Sequence, residues 1–273
     1  MSQHIYGLLL VGGKSSRMGT DKSEMVFRDG LSQRERGLKL LESVCDQVFT
    51  SVAEGEGENI IPDAFGNIGP LGAIASAQKH SPDAAWFVLA CDLPLLEAEH
   101  LETLKAAHQP EHSATYFSSA SDGLPEPLCS IWSASSALAV TAAIISEKRC
   151  PRSVLKNIKN GQALPTPGLW PLANTNTEAD AMEIRARIDN TITEKTITLS
   201  YFAQLRELTG TASESHTTSS VTPAGVFEEM RAKYQIPLKR KGMMVAVNGD
   251  FTDWSHPLAE GEELVFIPPV AGG

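Results

Sequence analysis

Short apolar runs alternate with helical patterns over the first half of the chain. Residues 7–11 and 86–90 are continuous apolar runs of strand length, which are typical of parallel strands covered on both faces, and residues 47–52 are a similar run. Between them, residues 31–45 repeat leucine at spacings of three and four, and residues 72–79 are rich in alanine, so both segments are predicted to be helices. The alternation of strand and helix predicts an α/β fold with a doubly wound sheet.

The same pattern continues downstream. Residues 127–132 predict a further strand and residues 134–145 a helix. A proline-rich loop follows, and the segment NTNTEAD then leads into a helix that runs through Ile188. Thr177 is the predicted N-cap of that helix, because acidic residues follow it in the first turn.

A polar string, DNTITEKT, interrupts the pattern at residues 189–196 and predicts a linker at 191–195. The elements predicted after it are a strand at 196–201, a short helix at 202–208, a polar strand at 213–220, an amphipathic helix at 223–234, and strands at 244–248 and 263–267. This order predicts a separate, small α+β domain. The predicted domains are therefore residues 1–190 and 196–273.

The composition and net charge argue against some classes of binding partner. The 273 residues are 42% hydrophobic, enough for buried cores, and the formal net charge of −10 argues against a protein that coats nucleic acid or an anionic membrane. Four cysteines occur without a CxxC pair, which favours buried free thiols over a zinc site or a redox dithiol. No apolar stretch reaches the ~18 residues of a membrane helix, and no signal-peptide pattern opens the sequence. We therefore expect a soluble, cytoplasmic protein.

The loop after the first apolar run, LVGGKSSRMGTDK, is the main candidate for chemistry. In a doubly wound sheet such a loop lies at the carboxyl edge, where these folds bind ligands. Gly12 and Gly13 leave room for backbone amides to approach a phosphate, and Lys14, Arg17 and Lys22 could neutralise a polyphosphate. The spacing fits neither GxxxxGK[ST] nor GxGxxG, so the pattern alone leaves the kind of phosphate ligand open.

The same stretch resembles the LxGGxSxRMGxDK signature of molybdenum cofactor guanylyltransferases. The resemblance implies a Rossmann-like nucleotidyltransferase domain that binds GTP with Mg²⁺, and it gives Arg17 and Lys22 catalytic roles at the triphosphate. A glycine at position 13 favours guanine, since related cytidylyltransferases tend to have alanine there. The nucleotide contacts that it implies in this loop are Leu10, Val11, Gly12, Gly13 and Lys22.

Two later segments resemble the same family in the same order. IPDAFGNIGPLGAI places Asp63 against the nucleoside and the turn of Gly69, Pro70 and Leu71 at the substrate. LACDLPLL ends an apolar strand in Asp92, which the resemblance makes a nucleotide contact, a catalytic residue and the Mg²⁺ ligand. A tight turn into a helix and a simple strand terminator would also account for these two patterns.

NTNTEAD resembles the NxNTPxD segment of the family, which borders the pterin. It gives Asn174 and Asn176 a place beside the substrate, with helix capping as the alternative. The implied reaction is an in-line attack by the terminal phosphate of molybdopterin on the α-phosphorus of GTP, with release of pyrophosphate. Such a transfer depends on positioning and charge neutralisation rather than on a covalent protein nucleophile.

The last residues, FIPPVAGG, leave a strand through two prolines and finish in Gly272 and Gly273. Together with ITLSYFAQLRELTG and VAVNGDFTDWSHPLAEGEELV they resemble the sulfur-carrier small subunit of molybdopterin synthase, which has a ubiquitin-like β-grasp fold. The resemblance implies that the terminal carboxylate is adenylated by an E1-like enzyme and converted to a thiocarboxylate. That group would deliver sulfur inside the large subunit of the synthase. A glycine tail without function is the alternative.

Taken together, the two resemblances indicate a bifunctional protein of molybdenum cofactor biosynthesis. Three alternatives stay open. The chain could be chiefly a sulfur carrier whose first domain binds nucleotide without efficient turnover, because SVAEGEG replaces the asparagine with which relatives read the base and EA replaces the usual Pro-Glu of NxNTPxD. It could also be a cytidylyltransferase of the same fold, or a nucleotidyltransferase that acts on sugar phosphates.

Overall fold

The computed structural model describes residues 4–11, 22–66 and 68–269. The chain forms two compact units, Met1–Ser119 with Gly123–Ala173, and Asn174–Gly273 with Ala120–Asp122. In the part of the chain that is described, no helix combines the length and the apolar character needed to cross a membrane. The predicted domain boundary at residue 190 stays a prediction.

The first unit is built on a seven-stranded sheet of order β3-β2-β1-β4-β6-β5-β7. Its strands are β1 (Ile5–Leu10), β2 (Gln47–Val52), β3 (Ile60–Pro62), β4 (Ala85–Ala90), β5 (Ala114–Ser118), β6 (Pro125–Trp132) and β7 (Gly161–Leu164). Strand β6 is antiparallel to both of its neighbours, whereas the other pairs in the sheet are parallel. The doubly wound α/β architecture is confirmed.

Helices cover both faces of this sheet. They are α1 (Gln33–Glu42), α2 (Pro70–His80), α3 (Ala98–Ala107), α4 (Ala137–Ile145) and α5 (Pro151–Asn157). Adjacent residues of β1 show the two-sided burial, because Leu8 belongs to one hydrophobic core and Leu9 to the other. Leu71 and Trp86 join Leu8, whereas Leu41 joins Leu9. This burial explains why β1 and β4 are continuously apolar rather than alternating.

The parallel strands bring their carboxyl ends to one edge. Leu10 is paired with Ser51 on β2 and with Ala90 on β4, so the chain leaves all three strands side by side. In open α/β sheets, this edge is where ligands bind. The first unit therefore presents the ends of β1, β2 and β4 as its candidate site.

The second unit is a five-stranded mixed sheet of order β11-β10-β12-β8-β9. It comprises α6 (Glu178–Ile188), β8 (Lys195–Tyr201), α7 (Ala203–Thr209), β9 (Ser213–Thr218), α8 (Pro223–Tyr234), β10 (Met244–Val247), β11 (Asp250–Thr252) and β12 (Glu263–Ile267). The first and last strands, β8 and β12, pair in parallel at the centre. Phe227 and Met230 of α8 are buried in one core with Leu199 and Phe266 of the sheet, as the predicted β-grasp fold requires.

A buried ion pair joins α6 to the start of α8. Glu183 is only 2% exposed, and its Oε2 accepts hydrogen bonds from the backbone amides of Val221 (3.0 Å) and Thr222 (3.2 Å). The same oxygen accepts from the Thr222 hydroxyl at 3.1 Å, and Arg187 donates to Oε1 at 2.7 Å. Thr222 is the N-cap of α8, so Glu183 holds the N-cap residue and the residue before it and thereby supports the cap of α8.

Several elements were not predicted, and one interpretation was wrong. The additional elements are β3, α3, β5, α5, β7 and β11. All four cysteines are free, as expected, but only Cys129 is buried, while Cys45 and Cys91 are partly exposed and Cys150 is exposed. The expectation of buried thiols therefore fails at Cys150, which precedes α5 outside both cores. The predicted N-cap Thr177 is confirmed, and it forms a capping box with Asp180.

Candidate functional site

Asp92 stands at the carboxyl edge of the sheet, two residues beyond β4. The strand is buried along its whole length, and the amide of the next residue, Cys91, donates to the carbonyl of Leu10 at 3.2 Å. Oδ1 of Asp92 is buried and has no hydrogen-bond partner among the described residues. An unpartnered carboxylate oxygen at this edge is a position where a cation would be stabilised.

Opposing effects act on the charge of Asp92. Burial raises the pKa of its carboxyl group above the ordinary value, while the positive charge of Lys22 acts in the opposite direction. The net shift of the pKa is upward, because burial outweighs the lowering effects of Lys22 and of a backbone hydrogen bond. Additional positive charge at Oδ1 would favour the ionised carboxylate, so the site is suited to a metal ion.

The described residues on either side of the first loop are Val11 and Lys22. Val11 follows Leu10 at the end of β1, and Lys22 opens a short 3₁₀ turn and acts electrostatically on Asp92. The predicted residues Gly12, Gly13 and Arg17, like Lys14, lie outside the described residues. Leu10 is only 8% exposed, so its side chain belongs to the core and leaves its backbone for any contact with a ligand.

Asp63 lies beyond β3, where it meets the beginning of α2. Its amide donates to the carbonyl of Val52 at 2.9 Å, and its Oδ1 accepts a hydrogen bond from the amide of Phe65 at 2.7 Å. A β-carbon on Gly72 would come within 2.8 Å of Oδ2 of Asp63. The missing side chain at position 72 therefore lets the carboxylate lie close against the first turn of α2.

The predicted turn of Gly69, Pro70 and Leu71 begins α2. Gly69 is the N-cap with φ 87° and ψ −161°, a conformation essentially confined to glycine, and no side chain of the described residues caps this end. Pro70 occupies the first turn, where a missing N–H costs nothing. Leu71 is fully buried, so its side chain is a core residue and cannot touch a substrate.

Asn174 and Asn176 lie in the second unit and are exposed. The amide of Asn176 donates to Oδ2 of Asp180 at 3.0 Å, while Thr177, rather than either asparagine, caps α6. The place of these asparagines beside a substrate stays a prediction. Gly272 and Gly273 lie outside the described residues.

Gln33 and Arg36 were missed by the sequence analysis. Both belong to the first turn of α1, and Gln33 shares the buried side of that helix with Gly37 and Leu41. A polar residue at a buried position of a leucine-rich helix is the signal that could have revealed Gln33. Among the described residues, no group of three or more His, Cys, Asp or Glu side chains could hold a metal.

A doubly wound sheet with a candidate site at its carboxyl edge is typical of α/β proteins that bind nucleotides. Residues 7–163 match the MobA-like NTP transferase domain, and residues 199–273 match the ThiS family. The first match covers more than half of the chain. The chain therefore belongs to the MobA-like NTP transferases and carries a ThiS-family domain in addition.

Curated relatives match both the NTP transferase domain and the ThiS-family domain. A "Molybdenum cofactor biosynthesis bifunctional protein" of Synechocystis is 31% identical over 66% of this chain and 53% of its own length. A "Probable molybdenum cofactor guanylyltransferase" of Flavobacterium johnsoniae is 33% identical over 46% of this chain and 66% of its own. The chain thus spans about half to two thirds of these relatives. The "Molybdopterin synthase sulfur carrier subunit" of Escherichia coli is 34% identical over 27% of this chain and 94% of its own.

A solved structure supports the fold of the first unit. "Molybdopterin-guanine dinucleotide biosynthesis protein A" from Archaeoglobus fulgidus superposes with a TM-score of 0.56 at 24% identity. It covers 68% of this chain and 99% of the archaeal one.

Proposed function

We propose that the first domain transfers GMP from GTP to molybdenum-bearing molybdopterin. The terminal phosphate of the pterin attacks the α-phosphorus, a new P–O–P bond forms, the bond to the β-phosphate breaks, and pyrophosphate leaves. The observation that carries this proposal is the buried Oδ1 of Asp92, which has no hydrogen-bond partner among the described residues and lies at the edge where Lys22 acts electrostatically on it. The names of the relatives supply the substrates.

The residues present fit Mg²⁺. This ion is usually held by one or two carboxylates together with substrate phosphates, rather than by a complete cage of protein ligands. Asp92 offers one such oxygen, and burial raises the pKa of its carboxyl group. When bound, Mg²⁺ would neutralise charge on the phosphates of the nucleotide.

Other side chains neutralise the phosphates and position the two substrates. Lys22, together with Arg17 of the same loop, neutralises the triphosphate, and Asp63 contacts the nucleoside from the end of β3. Gly69 and Pro70 form the turn beside Asp63 at which the substrate would lie. Asn174 and Asn176 orient the pterin. Because phosphoryl transfer needs no covalent protein nucleophile, these positioning roles suffice.

Base choice is tested by competition. The purified protein, Mg²⁺ and molybdenum-loaded molybdopterin are incubated with equal GTP and CTP, and the dinucleotide products are separated by mass. Guanine dinucleotide in large excess supports the proposal. Cytosine dinucleotide in excess would make the protein a cytidylyltransferase of the same fold.

The second domain, in our proposal, is a sulfur carrier. Its match to the ThiS family extends to Gly273, and it shares 34% identity with a molybdopterin synthase carrier subunit. An E1-like enzyme would join the carboxylate of Gly273 to AMP from ATP with release of pyrophosphate. Sulfide from the sulfur donor would then attack the acyl carbon, AMP would leave, and the large synthase subunit would receive the resulting thiocarboxylate. AMP is needed because a free carboxylate is a poor electrophile.

Intact mass measures this second activity. After incubation with an adenylating enzyme, ATP and a sulfur donor, the protein should gain the mass difference between carboxylate and thiocarboxylate, and deletion of Gly273 should abolish the gain. An unchanged mass, under conditions that convert a known carrier subunit, would exclude the carrier role. Carrier activity without dinucleotide formation would instead favour a carrier whose first domain only binds nucleotide.

A further inference from the structure

The segment that carries Asp92 is held at both ends by the first turn of α1. We call residues 91–97 the Asp92 segment. At its start, Nε2 of Gln33 donates to the carbonyl of Cys91 at 3.1 Å. At its end, Nη2 of Arg36 donates to the carbonyl of Leu96 at 2.6 Å and to Oε2 of Glu97 at 3.1 Å.

The peptide before Asp92 is thereby fixed from two directions. The amide of Cys91 donates to Leu10 on β1, and the carbonyl of Cys91 accepts from Gln33 on α1. These two contacts restrain the backbone on both sides of the Cα of Cys91. Since the carbonyl belongs to the peptide that leads directly into Asp92, its orientation determines where the Asp92 backbone begins.

Gln33 occupies a costly position for an amide. It is only 4% exposed, and it borders a small cavity whose lining is largely apolar and includes Leu40, Leu89 and Leu93. Its Oε1 is buried without a hydrogen-bond partner in the described part of the chain. An apolar side chain would avoid this desolvation, so the fold alone does not require an amide here. The hydrogen bond to Cys91 is the interaction that an apolar residue could not provide.

We propose that Gln33 is a positioning residue, which holds the Asp92 segment so that the carboxylate of Asp92 is preorganised for the metal–nucleotide complex. This inference rests on the proposed function of Asp92. Gln33 acts through the backbone of Cys91 and touches neither nucleotide nor metal. Side chains that orient metal ligands typically change metal affinity by ~10–100-fold when they are replaced.

The chain offers a matched control in Gln78. This second buried glutamine is 6% exposed, lies in α2, and donates to the hydroxyl of Ser136 at 2.6 Å, a contact that does not involve the Asp92 segment. Gln33→Met and Gln78→Met both replace a buried amide with a side chain of similar length. Gln33→Asn provides a second test variant, because it keeps an amide but is one methylene too short to reach Cys91.

The experiment measures two quantities on the full chain. Hydrogen exchange of the backbone at residues 91–97 is followed without ligand, and the Kd for GTP is measured with Mg²⁺ and again with EDTA. We expect faster exchange in both Gln33 variants, and a ~10–100-fold weaker Kd with Mg²⁺ but little change in EDTA. Gln78→Met should leave the exchange of the segment and both Kd values unchanged.

The other outcomes overturn the inference in distinguishable ways. If the wild type binds GTP and the Gln33 variants bind it equally well with Mg²⁺, the positioning role is wrong while the proposed function stands. If Gln78→Met weakens binding as much as Gln33→Met, the effect is a general loss of stability and the positioning role is again wrong. If the wild type itself binds no GTP, the proposed function fails and the inference fails with it.

Discussion

Gly72 and Asp63 are packed so closely that a β-carbon at position 72 would lie 2.8 Å from Oδ2 of Asp63. The same β-carbon would lie 2.9 Å from Cγ1 of Ile68. A shift of the Asp63 side chain alone would therefore leave the close contact with Ile68, and a shift of Ile68 alone would leave the close contact with Asp63. The absence of a side chain at Gly72 thus sets the position of a carboxylate that we assign to nucleoside binding.

Gly72→Ala is expected to weaken nucleotide binding more than folding. Overpacking costs ~1–3 kcal/mol, but alanine in a helix recovers ~1 kcal/mol relative to glycine, so the free energy of unfolding should change little. The displaced Asp63 should raise the Kd for GTP about tenfold, equivalent to ~1.4 kcal/mol. Titration with GTP and urea unfolding measure the two effects separately.

Gly161→Ala is the control for this substitution. Gly161 lies on the edge strand β7, away from the site, and a β-carbon there would lie 2.9 Å from Cγ2 of Ile158. We expect a loss of stability with an unchanged Kd for GTP. Equal effects of the two variants on the Kd would contradict the role of Asp63.

Asp92→Asn should separate stability from activity. Because burial raises the pKa of Asp92 in the folded protein, the ionised carboxylate costs stability. This penalty is absent at low pH and develops as the pH rises from the unfolded to the folded pKa. The asparagine variant should therefore unfold at a higher temperature than the ligand-free wild type at neutral pH, and the difference should vanish in acid. Its turnover should fall by at least ~100-fold.

The exposed residue Asp83, before β4, supplies the control. Asp83→Asn should change neither the unfolding temperature nor the turnover. If Asp92→Asn kept wild-type turnover at saturating Mg²⁺ and GTP, Asp92 would have no part in the reaction.

Glu183→Ala should strongly destabilise the start of α8. The substitution removes the buried carboxylate that accepts from Arg187 and from two backbone amides, and breaking such a pair costs ~3–5 kcal/mol. Hydrogen exchange of the α8 amides measures the loss. The exposed Glu178 lies on the same helix, and Glu178→Gln should change stability by less than ~1 kcal/mol. Similar effects of the two variants would contradict the capping role of Glu183.

Alkylation should distinguish the cysteines. Burial raises the pKa of the Cys45 thiol to about 12 and also raises the pKa of Cys129, so neither forms much thiolate near neutral pH. Cys150 is exposed, and we expect iodoacetamide to modify it first. Peptide mass mapping over time checks the order. Early modification of Cys129 would contradict the packing of β6.

The sequence predicted the central strands because their residues are buried on both faces. β1 and β4 each form a continuous apolar run, and the polar residue that ends such a run, Asp92, was visible in the pattern. The edges were harder to predict. β3 has three residues, and β7 has four with alternating exposure, so neither carries the apolar run of a central strand.

Part of the candidate site could also be predicted from short segments of the sequence. Lys22 was identified from the basic loop that follows β1, and both Lys22 and Asp63 from the resemblance of short segments to the guanylyltransferase family. Gln33 was not, because its partner Cys91 is 58 residues away and only the fold brings them together. The pairing of Glu183 with the start of α8 was missed for the same reason, because 39 residues separate it from Thr222.

The central claim is that the edge beside Asp92 catalyses nucleotidyl transfer, and the most direct measurement is product formation by the full chain. The protein is incubated with Mg²⁺, GTP and molybdenum-loaded molybdopterin, and pyrophosphate and the pterin dinucleotide are quantified together. We predict equal amounts of the two products from the wild type and almost none from Asp92→Asn. The absence of dinucleotide with either GTP or CTP, under conditions in which a known guanylyltransferase turns over, would contradict the claim.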